Sequence, residues 1–307
     1  MERFALAAAV VLGFALTAAL CSLFVPLRRV LERREQNQQP AQSEQPRPAP
    51  LRAPLWGGLC AAAGTVAAVG VGWLAACVGQ PELLGSEGRL MTRLLTALAG
   101  SLAFGAVGLA EDLARMRSPA ALGLRRDVRL LLEALAAAFV LLLLQAAGCL
   151  PRGLDVPGAG YVLLGSAVPF LWAVLMVALA ECARIAERDE GTVCGAAFVA
   201  MLALMMAEAG LGVPGLAVLP AALAGALVAL LLWAFPPARL GVGCCGSLLA
   251  AGAIGCIPLS LDMTSLTVPL ALPFWAAGGL WAAQLLGAKR TGKPLRCWVK
   301  KHKMSPE

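Results

Sequence analysis

Long apolar stretches alternate with short polar gaps along most of the chain. An α-helix needs about 20 apolar residues to cross the hydrocarbon core of a bilayer. The pattern therefore predicts an all-α fold, a polytopic membrane helix bundle of about nine transmembrane helices. The eighth stretch is the shortest and contains Pro258. The nine stretches lie near residues 4–25, 55–79, 90–110, 128–150, 161–180, 192–209, 214–235, 247–261 and 266–287.

Positive charges lie mainly in every second gap. Of the 25 Lys and Arg residues, 21 lie in or beside the gaps after the first, third, fifth and seventh stretches, or in the tail after the ninth. Loops rich in Lys and Arg remain on the cytoplasmic side. The distribution predicts an N-terminus outside and a C-terminus in the cytoplasm. The net charge of +7 then reflects topology and anionic lipid headgroups, and no basic face with interleaved aromatic residues indicates nucleic-acid binding.

Composition supports one integral membrane domain over residues 1–288. Hydrophobic residues make up 60% of the 307 positions and charged residues 14%, with a mean hydropathy of +0.79, which excludes an ordinary soluble domain. Residues 31–53 are rich in Gln, Pro and Glu and are predicted to form a flexible cytoplasmic connector. Residues 289–307 are predicted to be a basic cytoplasmic tail. The first stretch is interpreted as a retained anchor because the basic pair Arg28-Arg29 follows it.

Charged residues are scarce in the middle of the apolar stretches. Arg93, Glu133 and Glu208 lie near the ends of their stretches, where we expect their side chains to reach the membrane interface. Ion-coupled carriers usually place charged groups or broken helices near the midplane. The ten cysteines are scattered without a paired CxxC, which argues against a zinc site. These features disfavour a carrier or channel.

Four polar segments lie in the predicted cytoplasmic gaps. Each carries residue types suited to phosphate chemistry, and each is also compatible with plain helix packing or a solvated loop. Paired glycines permit close backbone approach, adjacent carboxylates suit a divalent cation, arginines suit phosphate oxygens, and a glycine-rich turn before a helix can cradle phosphate. The segments are 54–58 with its glycine pair, 108–112 with Glu111 and Asp112 (followed by the basic stretch 123–129), 184–191 with Glu187 and Glu190, and 237–247 with Gly243, Gly246 and Ser247.

Taken in order, these segments resemble motifs of the phospho-N-acetylmuramoyl-pentapeptide transferase family of polyprenyl-phosphate sugar-1-phosphate transferases. The family's Pro-Thr-Met-Gly-Gly, Gly-Phe-x-Asp-Asp and Asn-x-x-Asp-Gly-x-Asp-Gly loops correspond to 54–58, 108–112 and 184–191. Its Pro-Ala…Gly-Asp-x-Gly-Ser segment and His-rich loop correspond to 237–247 and 291–302. The chain departs from the pattern where Glu111, Arg184, Glu187 and Glu190 replace Asp, Asn, Asp and Asp, and where Cys244 replaces an Asp that binds magnesium in the family.

The resemblance implies a multi-pass protein of the bacterial cytoplasmic membrane that transfers a sugar-1-phosphate from a UDP-amino sugar to polyprenyl phosphate. It implies Mg²⁺ as cofactor, a polyprenyl phosphate lipid and a UDP-sugar as binding partners, and leaves a homodimer open as the oligomeric state. The implied roles are catalysis by Glu111 and Asp112, metal binding by Glu187 and Glu190, and substrate binding by a further group. That group comprises Arg129, Arg184, Gly243, Gly246, Ser247 and His302.

Three hypotheses follow from the sequence. The first is an active but divergent phosphoglycosyl transferase whose site retains catalysis despite its substitutions. The second is a catalytically inactive family member that binds the lipid carrier or acts as a scaffold. The third is an unrelated carrier or channel. If the rest of the site is intact, Cys244→Asp is predicted to raise magnesium-dependent turnover, because magnesium prefers oxygen donors over sulfur.

Overall fold

The computed structural model describes most of the chain and is dominated by helices. Helices occupy the positions of all nine predicted apolar stretches. The described residues are 2–38, 56–79, 88–117, 123–151, 153–156, 160–163, 165, 167–187, 191–210, 215–235 and 240–291.

The elements are ten α-helices, one antiparallel hairpin and one short 3-10 helix over Thr264–Leu266 within the described residues. The hairpin strands are β1 (Gly153–Val156) and β2 (Gly160–Leu163), with Gly153 opposite Leu163. The helices are α1 (Glu2–Gln38), α2 (Gly57–Gly79), α3 (Gly88–Arg117), α4 (Arg126–Ala146), α5 (Ala167–Ala186), α6 (Thr192–Gly210), α7 (Val218–Ala234), α8 (Gly243–Ser260), α9 (Thr267–Leu270) and α10 (Leu272–Thr291).

Six described helices are long and apolar enough to cross a membrane. A bent pair of segments, 264–270 and 272–283, makes a seventh if it counts as one span. The all-helical membrane bundle is thus confirmed in outline, apart from the hairpin. The count of nine spans and the orientation of the termini stay predictions.

Helix α8 lies at the centre of the bundle. All 18 of its residues are buried, and α3 packs along it more extensively than any other described pair of helices. Helices α2, α5 and α6 also contact α8, whereas α1 packs against α2 and α7. A helix that is apolar on all sides is expected in this position. Its burial places Gly243, at its first turn, inside the protein.

Two glycines allow the neighbouring helices to approach the start of α8. A Cβ atom on Gly58 would lie 2.1 Å from the backbone nitrogen of Gly246, and one on Gly108 would lie 2.2 Å from the carbonyl oxygen of Cys244. The amide of Gly58 also donates to the carbonyl of Val242 at 2.9 Å. The glycine pair of segment 54–58 therefore serves close helix packing.

Several boundaries differ from those expected. Helix α1 continues to Gln38, so the first residues of the predicted connector 31–53 are helical, and its remainder lies outside the described residues. Helix α5 begins at Ala167 instead of 161, because 160–163 pairs with 153–156 as a hairpin. Helix α3 runs on to Arg117, so the predicted loop residues Glu111 and Asp112 are helical.

The expected reach of Glu133 and Glu208 to the membrane interface is wrong. Both side chains are fully buried within the bundle, at 0% exposure. Position near a helix end did not reveal this, because neighbouring helices cover those ends. The Nε atom of Arg93 is also buried, and it has no hydrogen-bond partner among the described residues.

Candidate active site

Five helix ends meet around the start of α8, and three of them carry charged side chains. The charged ends are the last two turns of α3, the last turn of α5 and the first turn of α4. The first turn of α8 contributes Cys244, and that of α2 contributes Gly57 and Gly58. These ends come from the segments predicted to face one side of the membrane. The packing joins Glu111, Asp112, Arg129, Arg184, Glu187 and Cys244 in one network of contacts.

Asp112 binds the N-terminus of α8. Its Oδ1 accepts a hydrogen bond from the amide of Cys244 at 3.0 Å, and its Oδ2 accepts one from the amide of Cys245 at 2.9 Å. The first amides of a helix lack partners within the helix and carry partial positive charge. Val242, the residue that precedes α8, supplies no side-chain cap. The Asp112 carboxylate of α3 therefore caps the N-terminus of α8, which has no side-chain cap of its own.

Asp112, Glu187 and Cys244 form a compact donor set. The Cys244 thiol donates to Glu187 Oε2 at 3.0 Å, and one donor atom of each side chain lies within 4.8 Å of the other two. Burial raises the pKa of the Glu187 carboxyl above its ordinary value, although the Cys244 thiol and Arg115 oppose that shift. Two oxygens and one sulfur fit a divalent cation, but sulfur is a poor ligand for magnesium.

Arg115 joins the carboxylates of this cluster. Its Nη2 donates to Glu111 Oε1 at 2.8 Å, and its Nη1 lies 4.0 Å from Asp112 Oδ1 and 3.9 Å from Glu187 Oε1. Sequence reasoning missed this residue. Its spacing of four from Glu111 was the available signal, because residues four apart share a helix face.

Glu181 holds two arginines and was also missed. Its Oε1 accepts from Arg129 Nε at 2.8 Å and its Oε2 accepts from Arg184 Nη2 at 2.5 Å. Arg184 lies three residues after Glu181 in the last turn of α5, which was the sequence signal. The pairing fixes the directions of the guanidinium groups of Arg129 and Arg184.

Glu111 and Glu133 lie on either side of Arg129. Arg129 Nη1 is 3.8 Å from Glu111 Oε1, and Arg129 Nε is 3.9 Å from Glu133 Oε1. The second oxygen of Glu111, Oε2, is buried and has no hydrogen-bond partner among the described residues. Glu111 thus presents one oxygen to the arginines and leaves the other free of protein donors in the described part of the chain.

The residues predicted to cradle phosphate lie in the first turn of α8. Gly243 has φ +71°, Gly246 packs against Gly58, and the Ser247 hydroxyl donates to the Cys244 carbonyl at 3.1 Å. The amides of Cys244 and Cys245 already bind Asp112. The substrate role of Gly243, Gly246 and Ser247 stays a prediction. Glu190 and His302 lie outside the described residues.

The comparisons with known proteins bear on this site. The model of the family described as glycosyl transferase family 4 matches residues 94–262, more than half of the chain. The chain belongs to glycosyl transferase family 4. The match extends from within α3 to just beyond α8, and so includes every described charged residue of the cluster.

Three relatives named phospho-N-acetylmuramoyl-pentapeptide-transferase illustrate the similarity. The protein of Desulforudis audaxviator (strain MP104C) is 32% identical over 170 residues, covering 52% of this chain and 50% of its own length. That of Mycobacterium tuberculosis (strain ATCC 25618 / H37Rv) is 28% identical over 265 residues, covering 78% and 72%. That of Synechococcus sp. (strain RCC307) is 30% identical over 210 residues, covering 67% and 55%. The chain thus spans only half the length of the first of these relatives.

Proposed function

We propose that the protein is a membrane phosphoglycosyl transferase of bacterial cell-envelope synthesis, with a UDP-amino sugar as donor and a polyprenyl phosphate as acceptor. The observation that carries the proposal is the meeting of Asp112, Glu187 and Cys244 in one charged cluster. They belong to the segments 108–112, 184–191 and 237–247. These segments are far apart in sequence. Membership of glycosyl transferase family 4 supports the reaction class.

In the proposed reaction, an oxygen of the lipid phosphate attacks the β-phosphorus of the UDP-sugar. A new phosphorus–oxygen bond forms, the bond between the bridging oxygen and the β-phosphorus breaks, and UMP leaves with the bonding electron pair. The product is a lipid-linked sugar diphosphate. Such a transfer depends chiefly on positioning and on stabilising charge on the phosphate oxygens. A buried charged cluster at the ends of apolar helices suits a lipid substrate and a soluble nucleotide.

The chain's own residues supply that positioning. Arg129 and Arg184 are oriented by Glu181 and are assigned to the phosphate oxygens of the donor, since guanidinium groups form charge-assisted hydrogen bonds with phosphate. Glu111 is assigned to accepting the proton of the lipid phosphate, because its Oε2 is free of protein donors in the described structure. Asp112 acts with Glu111 and also holds α8 in place.

A divalent cation fits between Asp112, Glu187 and Cys244, and would offset negative charge on the diphosphate. Glu190 belongs to the proposed ligand set by resemblance. Magnesium is the cation that the resemblance implies, and the thiol of Cys244 is the one donor that does not suit it.

The remaining assignments follow from the sequence. We place the site at the cytoplasmic face of the inner membrane, with about nine spans, the N-terminus outside and residues 289–307 in the cytoplasm. The family resemblance supplies the polyprenyl phosphate and the UDP-sugar, while Gly243, Gly246, Ser247 and His302 are assigned to substrate binding. The proposal includes no nucleic-acid partner, and it is compatible with a homodimer.

A UMP-release assay tests the proposal. Purified full-length protein in lipid vesicles is supplied with undecaprenyl phosphate and a panel of UDP-amino sugars, with Mg²⁺, Mn²⁺ or Zn²⁺. Release that requires both lipid acceptor and donor, and that falls at least about 100-fold in Asp112→Asn, supports a transferase. The matched control is Asp127→Asn, since Asp127 is an acid at an exposed position. Thermal unfolding of each variant separates loss of chemistry from loss of fold.

The second candidate is a catalytically inactive member that binds the lipid carrier or acts as a scaffold. It is favoured by one observation, the engagement of both Asp112 oxygens by the amides of α8, which gives this carboxylate a structural role. No release with any donor, beside an active relative as positive control, together with saturable binding of undecaprenyl phosphate, would favour this candidate.

A further inference from the structure

The donor set at the start of α8 mixes hard and soft ligands. Asp112 and Glu187 offer carboxylate oxygens, whereas Cys244 offers a sulfur atom, and all three donor atoms lie within 4.8 Å of one another. Magnesium dehydrates reluctantly and takes oxygen ligands in near-octahedral geometry. Zinc binds cysteine sulfur, imidazole nitrogen and carboxylate oxygen, usually with four ligands. Three protein donors leave one position of a tetrahedral ion for a substrate oxygen or water.

A second observation favours cation binding in the same place. Glu111 is 2% exposed, and its Oε2 has no hydrogen-bond partner in the described part of the chain. Glu111 interacts electrostatically with both Cys244 and Glu187, so its charge lies close to the donor set. A buried carboxylate oxygen without a donor is costly unless a positive charge compensates it.

The cationic side chains nearby leave this end of the cluster short of positive charge. Arg115 is the guanidinium within 4.0 Å of Glu111, Asp112 and Glu187. Arg129 and Arg184 donate to Glu181. Arg129 also lies 3.8 Å from Glu111, and Arg184 interacts electrostatically with Glu187 and Cys244. Carboxylates thus outnumber guanidinium groups around Cys244 among the described residues.

We propose that Asp112, Glu187 and Cys244 form a site for a thiolate-binding divalent cation, with Zn²⁺ as its representative, in preference to Mg²⁺. Binding replaces the thiol proton of Cys244, which is released to solvent, with a bond between sulfur and the metal. The Cys244 hydrogen bond to Glu187 is then exchanged for shared ligation of the ion. The inference deepens the proposed function by naming the metal class of the same site.

The test uses Co²⁺ as a spectroscopic probe on the full-length protein in detergent, without substrates. Ligation by a thiolate gives cobalt a sulfur-to-metal charge-transfer band in the near ultraviolet. The wild type is expected to show this band, and Cys244→Ser is expected to lose it. Cys245→Ser is the matched control, because the adjacent thiol does not belong to the donor set. Glu187→Gln is expected to weaken Co²⁺ binding at least about 10-fold.

Displacement of bound Co²⁺ by other cations measures the metal selectivity of the site. Zn²⁺ is expected to displace Co²⁺ at comparable concentrations, whereas Mg²⁺ should require at least about 100-fold more. Cys244→Asp is expected to bind Mg²⁺ more tightly than the wild type does, which keeps the inference testable if Cys244→Ser fails to fold.

Three results would overturn the inference: no band in the wild type, a band that persists in folded Cys244→Ser, or equal displacement by Mg²⁺ and Zn²⁺. Because the readout is metal binding without turnover, a protein that binds cobalt through Cys244 but releases no UMP would refute the transferase and leave the metal assignment standing. The reverse pattern would refute the metal assignment alone.

Discussion

Asp112 and Glu208 are both buried carboxylates near the C-terminal end of an apolar helix, but their surroundings differ. Asp112 accepts two backbone hydrogen bonds from α8 and lies 4.0 Å from Arg115. Glu208 has no hydrogen-bond partner for either oxygen in the described part of the chain. It lies about 24 Å along α6 from Thr192, at 1.5 Å per residue, and so at the other end of the bundle.

The difference shows that burial alone does not identify a functional carboxylate. Both side chains have at most 1% exposure, yet only Asp112 is linked to other charged and metal-ligating groups. Preorganised partners are what an active site needs, because they hold the reacting groups in place. The following predictions test that contrast, from the largest expected effect to the smallest.

Removing the Asp112 carboxylate should cost the most stability. Asp112→Ala leaves two buried amides of α8 without an acceptor and Arg115 without one of its carboxylates. We expect a loss of about 3–5 kcal/mol in the free energy of unfolding, measured by chemical denaturation in detergent micelles. A loss below about 1 kcal/mol would show that the cap does not hold α8.

Adding a methyl group at Gly58 should be the next largest effect. The new Cβ would lie 2.1 Å from the Gly246 nitrogen, so α2 and α8 must separate at a cost of about 1–3 kcal/mol. Gly70→Ala in the same helix is the matched control, since nothing lies within 4 Å of its added Cβ. The midpoint temperature of thermal unfolding should fall for Gly58→Ala and stay level or rise for Gly70→Ala. Equal changes in the two variants would contradict the close contact between Gly58 and Gly246.

Neutralising Glu181 should have a moderate effect. Glu181→Gln keeps one acceptor but removes the charge that holds Arg129 and Arg184. Because Glu181 is partly exposed, we expect about 1–2 kcal/mol and a rise in KM for the UDP-sugar. The exposed pair of Arg125 and Asp127, 3.8 Å apart, is the control, with Asp127→Asn costing less than about 0.5 kcal/mol. An unchanged KM in Glu181→Gln would contradict the proposed role of Glu181 in positioning Arg129 and Arg184.

The smallest change is expected at Glu208. Glu208→Gln breaks no described hydrogen bond or ion pair, so the free energy of unfolding should change by less than about 1 kcal/mol. UMP release should match that of the wild type. A large loss of activity in this variant would remove the contrast between the two carboxylates and indicate a second functional region at that end of α6.

The sequence predicted the helical membrane bundle and the family, because long apolar stretches and motif order are local signals. It also predicted that the charged segments share one side, and the packing brings Asp112, Glu187 and Cys244 together. It could not predict that Asp112 caps α8, since that contact spans 132 residues of sequence. Nor could it predict the burial of Glu133 and Glu208, because burial depends on how neighbouring helices pack.

Glu181 and Arg115 are intermediate, because the sequence contained a signal for each residue but not for its role. Each sits three or four residues from a residue that sequence reasoning had selected. Helix periodicity therefore contained the signal. The tertiary partners that give these residues their roles come from elsewhere in the chain: Arg129 from α4 and Glu187 from the turn after α5.

UMP release by the wild type and by Glu187→Gln is the most direct test of the central claim that this cluster is an active site. Glu187 lies in the turn after α5 and accepts from Cys244, so its neutralisation disturbs the cluster with little effect on helix packing. The account predicts release by the wild type that needs both polyprenyl phosphate and a UDP-amino sugar, and at least about 100-fold less from folded Glu187→Gln. Equal release from both proteins, or none from the wild type beside an active relative, would contradict it.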